Sequence, residues 1–110
     1  MEIRDNKNLC IFTPINPCLS LYKINKLIEK INKEERRCAI DLTYVQDCTI
    51  DFIESLKNNI NKEISIFNIP SDIFVLFNIM NIDKTVKLFV SEKDFEEDSR
   101  QLINRKFKVI

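Results

Sequence analysis

Apolar residues recur along the chain with two different spacings, which together predict alternating strands and helices. Segments of strand length that are rich in apolar residues occur at 9–13, 38–42, 64–69 and 86–90. Segments in which apolar residues recur every three or four positions, as on one face of a helix, occur at 19–32, 51–60 and 72–80. A short strand followed by a polar turn is predicted at 2–8. Ser91 and Asp94 have the spacing of a capping box, which predicts a final helix to about Asn104.

The predicted order of elements is therefore β-β-α-β-α-β-α-β-α. Strands that alternate with helices favour a largely parallel or mixed sheet, and we predict one α/β domain over residues 1–110. The last residues, 105–110, alternate in polarity and predict either an edge strand or a loose tail.

Composition narrows the classes of function. The chain has no histidine and no glycine, so it lacks the commonest general base, the glycine-rich phosphate loops and the nucleophile elbow of hydrolases. These absences favour a binding or regulatory module without a cofactor over an enzyme. Seventeen basic and seventeen acidic residues cancel, which argues against nucleic acid as the partner. No apolar run has the length of a membrane-spanning helix and no signal peptide is evident, so we expect a cytoplasmic protein that is not inserted in a membrane.

The four cysteines are Cys10, Cys18, Cys38 and Cys48. No two of them have the close spacing of a zinc knuckle or a redox motif. Cys10, Cys38 and Cys48 stand among apolar neighbours, and without a secretory context a disulfide framework is not expected. We therefore predict four reduced thiols and no metal site, with most of the thiols acting as small buried side chains.

Residues 38–95 resemble a STAS domain, the fold of bacterial anti-sigma factor antagonists. The segment Ala39–Val45 is similar to the family's apolar strand that ends in Asp-Leu-Ser-Gly-Val. A helix, a strand ending at Asn68, a further helix and the segment 88–95 follow in the family's order, and residues 8–33 fit the family more loosely. The resemblance implies a central mixed sheet with about four helices packed mainly on one face.

The chain departs from the family at the phosphorylation site. STAS antagonists carry Asp-Ser-Ser-Gly before the second helix, and a partner kinase phosphorylates the first serine. The corresponding residues here are Thr49, Ile50, Asp51 and Phe52, so the acceptor position has no hydroxyl. Thr49, one residue earlier, is the remaining candidate for phosphorylation, because a helix N-terminus favours a phosphate. Simple helix capping is the favoured explanation of Thr49 and Asp51.

The third predicted helix is apolar around most of its circumference. Its predicted buried stripe consists of four residues: Ile73, Leu76, Phe77 and Met80. Phe74 and Val75 lie outside that stripe, at positions that are usually polar in the resembled family. We therefore predict a partner-binding surface formed by Phe74 and Val75 with Thr49, Ile50, Asp51 and Phe52.

The resemblance implies a regulatory protein in an AT-rich bacterium that binds an anti-sigma or switch-kinase-type ATPase domain. A second role within the family is a small STAS subunit that docks on the ATPase of a lipid-transport ABC system. A homodimer through the same surface is a further alternative. From another class, the acidic residues of loop 41–54 could serve a small enzyme or a cation site, against which the missing histidine and glycine argue.

Overall fold

The computed structural model describes residues 1–97, and the predicted continuation of the last helix and the segment 105–110 lie outside them. The described part contains five strands: β1 (Glu2–Asp5), β2 (Leu9–Thr13), β3 (Arg37–Asp41), β4 (Ile64–Phe67) and β5 (Lys87–Leu88). It contains four α-helices: α1 (Leu21–Lys33), α2 (Ile50–Asn58), α3 (Ser71–Ile79) and α4 (Glu92–Glu97). A short 3₁₀ helix (Ile82–Lys84) precedes β5, and the predicted order of strands and α-helices is confirmed.

The five strands form one mixed sheet in the order β1-β2-β3-β4-β5, so each strand lies beside its neighbour in sequence. β1 pairs with β2 in the antiparallel direction, and the remaining pairs are parallel. Cys10 is opposite Cys38, and Ile40 is opposite Ile66. β5 contributes only Lys87 and Leu88, fewer residues than the five predicted at 86–90.

The larger core lies on the face of the sheet that carries α1, α2 and α3. Side chains alternate across the strands, and Cys10, Phe12, Cys38 and Ile40 belong to this core together with the buried stripes of the three helices. Of the five apolar residues that recur along α1 at spacings of three and four, Ile24, Leu27, Ile28 and Ile31 are buried, whereas Leu21 is 56% exposed. The prediction that most helices pack on one face of the sheet is confirmed.

A smaller core covers the opposite face, and α4 packs there. It consists of Ile11, Ala39, Phe67, Phe89 and Phe95. The rings of Phe67 and Phe95 are stacked with centroids 5.3 Å apart. After β5 the chain therefore passes to the opposite face of the sheet, where the side chain of Phe95 is buried in the smaller core.

Short polar residues set the starts and ends of several elements. Ser20 caps α1 by accepting a hydrogen bond from the Lys23 amide. The left-handed backbone positions fall at Asn68 (φ 55°) and Asn81 (φ 59°), where asparagine replaces the glycine that this chain lacks. α2 ends differently: its C-cap residue, Asn59, is right-handed, with φ of −110°.

The buried stripe of α3 is narrower than predicted. Ile73 and Phe77 are buried, whereas Leu76 and Met80 are only partly buried and pack at the margin of the core. The helix is short, so only two of its side chains reach the interior. None of the helices in residues 1–97 has both the length and the apolar character needed to cross a membrane.

Candidate functional site

The predicted partner-binding residues all lie near one edge of the sheet. β2 to β5 are parallel, so their carboxyl ends meet at the same edge, and each is followed by a helix. The first turns of the four α-helices are consequently placed along this edge, which we call the carboxyl edge. In open α/β sheets this is the edge at which ligands are generally bound.

A polar network fills the carboxyl edge on the α4 side of the sheet, and Asp41 is its centre. Asp41 Oδ1 accepts hydrogen bonds from Thr43 N at 3.0 Å, Thr43 Oγ1 at 2.5 Å and Asn68 Nδ2 at 3.1 Å. Arg4 lies 3.3 Å from Asp41 Oδ2 and also donates to Glu92 at 2.9 Å. The network therefore joins β1, β3, the end of β4 and α4.

The Asp41 network is a structural element of the fold. Asp41 is 6% exposed, and both of its carboxylate oxygens have donors, which offsets the cost of burying the charge. The hydrogen bond to Glu92 raises the pKa of Arg4 although partial burial opposes it, so the guanidinium stays charged. Sequence reasoning missed this network, because the pairing of Arg4 with Asp41 crosses an intervening strand.

The start of α2 is built on Thr49, which is the N-cap residue. Its hydroxyl oxygen accepts a hydrogen bond from the Phe52 amide at 3.2 Å, so the predicted capping role is confirmed. Ile50 is 60% exposed, and Asp51 is exposed in the first turn. The helix start thus presents one large apolar side chain and one carboxylate to solvent.

Phe52 was predicted to belong to this surface, and that prediction is wrong. Phe52 is 1% exposed and belongs to the core under α2. Successive residues on an α-helix are turned by about 100°, so Phe52 points about 200° away from Ile50. The two side chains therefore face opposite sides of the helix.

A shallow apolar groove lies at the same edge, between the first turns of α3 and the connection from β5 to α4. Its volume is about 290 Å³, and it is lined by Ile69, Ser71, Phe74, Val75, Phe89 and Val90. Val75 and Val90 are 57% and 56% exposed, whereas Phe74 is partly buried and packs against the main core. The expectation that Phe74 stands free in solvent is therefore corrected: it forms the groove wall.

The groove and the start of α2 belong to neighbouring helices. Lys57 Nζ of α2 donates a hydrogen bond to the Met80 carbonyl, just after α3, at 3.1 Å. Both helices begin at the carboxyl edge of the sheet, with Ile50 in the first turn of α2 and Val75 in the second turn of α3. Tyr44, in the loop before α2, is 50% exposed.

The acidic residues of loop 41–54 are not assembled into a cation site. Asp41 is engaged in its network, while Asp47, Asp51 and Glu54 are exposed. Within residues 1–97, no three histidine, cysteine, aspartate or glutamate side chains lie close enough to share a metal ion.

All four cysteines are free thiols, and the fold places them in two neighbourhoods. Cys10 and Cys38 are buried strand partners, and burial raises the pKa of both thiols. Cys48 is partly buried, and desolvation raises its pKa to about 12, with a smaller contribution from Cys18. Cys18, which was not among the three cysteines with apolar neighbours in sequence, is the exposed member.

Comparison with models of known protein families gives no match for this chain, and a search of curated proteins gives none either.

Proposed function

We propose that this chain is a non-enzymatic regulatory module that binds a protein partner through the carboxyl edge of its sheet. The observation that carries the proposal is the apolar groove beside Val75, and the exposed Ile50 begins α2 at the same edge of the sheet. Exposed apolar side chains gathered around a groove are typical of contact surfaces. By its resemblance to anti-sigma factor antagonists, the partner is a switch-kinase-type ATPase domain in the bacterial cytoplasm.

The chemistry of the edge supports protein binding rather than catalysis. Two polar groups of the edge are engaged in the fold: Asp41 is held by Thr43 and Asn68, and the Thr49 hydroxyl caps α2. The edge presents outward the apolar side chains of Ile50, Val75 and Val90, together with polar side chains that include Asp51, Ser71 and Asp72. Such a surface gains free energy when a partner covers it.

Ile50 determines how the module would be regulated. A partner kinase has no hydroxyl to modify at this position, and the exposed isoleucine itself is available for contact. The module would then be constitutively competent to bind, or would serve as a scaffold. The same observation supports the second candidate, a subunit that docks on the ATPase of a lipid-transport ABC system, because that role needs no serine phosphorylation.

The test is a binding assay with a purified switch-kinase-type ATPase domain and, in parallel, a purified ATPase subunit of a lipid-transport ABC system. Val75→Asp should weaken the complex by roughly tenfold to a hundredfold, since burial of an aliphatic side chain contributes about 1.5–3 kcal/mol. Thermal melting should show that this variant stays folded, because Val75 is largely exposed.

Two control variants make the result decisive. Ile79→Asp changes an exposed apolar residue one turn further along α3, outside the groove lining, and should bind like the wild type. Phe77→Asp should unfold the chain, because it buries an unpaired charge. Failure of the wild type to bind either ATPase, or equal binding by folded Val75→Asp, would overturn the proposal. Self-association lost in Val75→Asp would identify the partner as a second copy.

A further inference from the structure

A second groove runs between α1 and the edge strand β1, away from the groove between α3 and the β5–α4 connection. It is formed by two adjacent cavities of about 220 Å³ and 330 Å³ that share Lys30 in their walls. The floor is mostly apolar and includes Met1, Pro14, Leu27 and Phe12. The groove follows the length of α1 on the helix-bearing face of the sheet.

One wall of the groove is a line of lysines. Lys23, Lys26, Lys30 and Lys33 follow one another at spacings of three and four residues, so they form one stripe on α1. Lys33 is paired with Glu29 at 3.2 Å. Lys23 contacts only the neutral Asn16 amide, and Lys26 lies over the ring of Tyr22.

No carboxylate of residues 1–97 forms an ion pair within 4.0 Å with Lys23, Lys26 or Lys30, although Glu29 attracts Lys26 and Lys30 at longer range. The two carboxylates that line the groove offset the lysines only in part. Asp5 and Glu34 share the positive charge of Arg36, at 3.2 Å and 2.8 Å, so together with Arg36 they leave one negative charge against these three lysines. The groove consequently carries an excess of positive charge above an apolar floor.

The other wall of the groove is β1, which is the edge strand. In the described part of the chain β1 pairs only with β2, so its outer side offers backbone donors and acceptors to another strand. Ile3 is opposite Phe12 in the register and therefore faces the helix side, where it is 47% exposed and lines the groove.

We propose that this groove binds an extended acidic segment of a partner protein, which adds to the free edge of β1. Every second side chain of an added strand faces α1, so acidic residues there would meet the lysines and an apolar residue would cover Ile3. The lengths agree, because the ten helical steps from Lys23 to Lys33 rise about 15 Å and five extended residues span about 16 Å.

Charge and shape select this occupant over two others. The chain's own residues 105–110 include three basic side chains and no acidic one, so they do not complement the lysines. A lipid surface favours apolar side chains that project outward, as Met1 and Tyr22 do at one end of the groove, whereas the buried Leu27 and Phe12 are recessed between a helix and a strand. This groove is a different surface from the one used in the proposed function, so the two proposals are tested independently.

The test uses a fluorescent heptapeptide of threonines with glutamate, leucine and glutamate at its second, fourth and sixth positions. Anisotropy should show saturable binding that weakens with salt, and the amides of residues 2–5 should shift in NMR spectra. The double variant Lys26→Gln/Lys30→Gln should bind about fivefold more weakly. The matched control Lys84→Gln/Lys93→Gln removes the same charge elsewhere and should bind normally.

Further probes separate the proposal from its competitors. The same peptide with N-methyl groups on alternate amides should lose binding, because strand addition needs its backbone donors. Absence of binding to the plain peptide would overturn the proposal, as would equal losses in both double variants or undiminished binding of the methylated peptide. Binding to phosphatidylglycerol vesicles that depends on Lys26 and Lys30, without peptide binding, would assign the groove to lipid instead.

Discussion

Asn68 donates a hydrogen bond from its side-chain amide to Asp41 Oδ1 at 3.1 Å while its own backbone is left-handed, with φ of 55°. One residue thus serves two purposes at the end of β4. It turns the chain where the sequence has no glycine, and it supplies a donor to a buried carboxylate.

Replacement of Asn68 should separate these two contributions. Asn68→Gly keeps the left-handed turn and loses the hydrogen bond, so we expect a loss of about 1.5–3 kcal/mol in the free energy of unfolding. Asn68→Ala should cost about 1–2 kcal/mol more, because alanine resists this backbone conformation. Urea denaturation measures both. Asn81→Gly is the control, since Asn81 is left-handed without a side-chain cap, and an equal loss there would contradict the role of Asp41.

The cap at Thr49 leads to a second prediction. Thr49→Ala should lower the free energy of unfolding by about 1 kcal/mol, because the Phe52 amide loses its acceptor. Thr49→Ser keeps the hydroxyl and should retain most of the stability. If thermal or urea melts show no difference between the two variants, the hydroxyl does not stabilise α2.

The phosphorylation site can be tested directly. A STAS-directed kinase should leave the wild type unmodified, because Ile50 has no hydroxyl and the Thr49 hydroxyl is engaged in capping. Ile50→Ser restores the acceptor of the resembled family and should become a substrate. Mass spectrometry after incubation with the kinase measures phosphate on each variant. Substantial phosphate on Thr49 of the wild type would show that regulation by phosphorylation is retained.

The cysteines should differ in reactivity. Only the thiolate reacts with iodoacetamide, and burial raises the pKa of Cys10, Cys38 and Cys48, the last to about 12. The exposed Cys18 should therefore be alkylated first at pH 8, giving one adduct by intact-mass spectrometry. Cys18→Ser should abolish this fast phase. Rapid addition of two or more groups to the native wild type would contradict the described burial.

Stability at acid pH should depend on Glu34. Hydrogen bonds from the Arg36 guanidinium and amide lower the pKa of Glu34 from 4.5 to about 2. Because the pKa of Glu34 is lower in the folded protein than in the unfolded chain, ionised Glu34 stabilises the fold. This contribution to the free energy of unfolding is complete above about pH 4.5 and is lost as the pH falls towards 2. Glu34→Gln should therefore flatten the fall in melting temperature across that interval. Glu35→Gln, at the exposed neighbouring position, should keep the wild-type profile.

Local patterns predicted the elements well, because periodicity and caps are properties of short segments. The stripe of α1, the caps at Ser20 and Thr49, and the order of the strands are all of this kind. The length of β5 was not predictable in this way. Its apolar residues continue to Val90, but only Lys87 and Leu88 find partners on β4.

The candidate site was predicted only in part, since exposure depends on direction and on distant neighbours. Ile50 and Val75 are exposed as expected, but Phe52 follows Ile50 by two residues and so turns inward. Phe74 is covered on one side by the core, which no local pattern reveals. The link from Arg4 to Asp41 and Glu92 joins residues far apart in sequence and has no signature along the chain.

The strand order β1-β2-β3-β4-β5 has a consequence for how the protein is made. Each strand pairs with the one synthesised before it, so every new strand and helix meets an edge that has already left the ribosome. The sheet can therefore grow in the direction of translation. Each step closes only a short loop, and each strand after β1 can pair as soon as it is synthesised. The last step, the crossing of Phe95 to the opposite face, then closes the hydrophobic surface that the growing sheet would otherwise leave open.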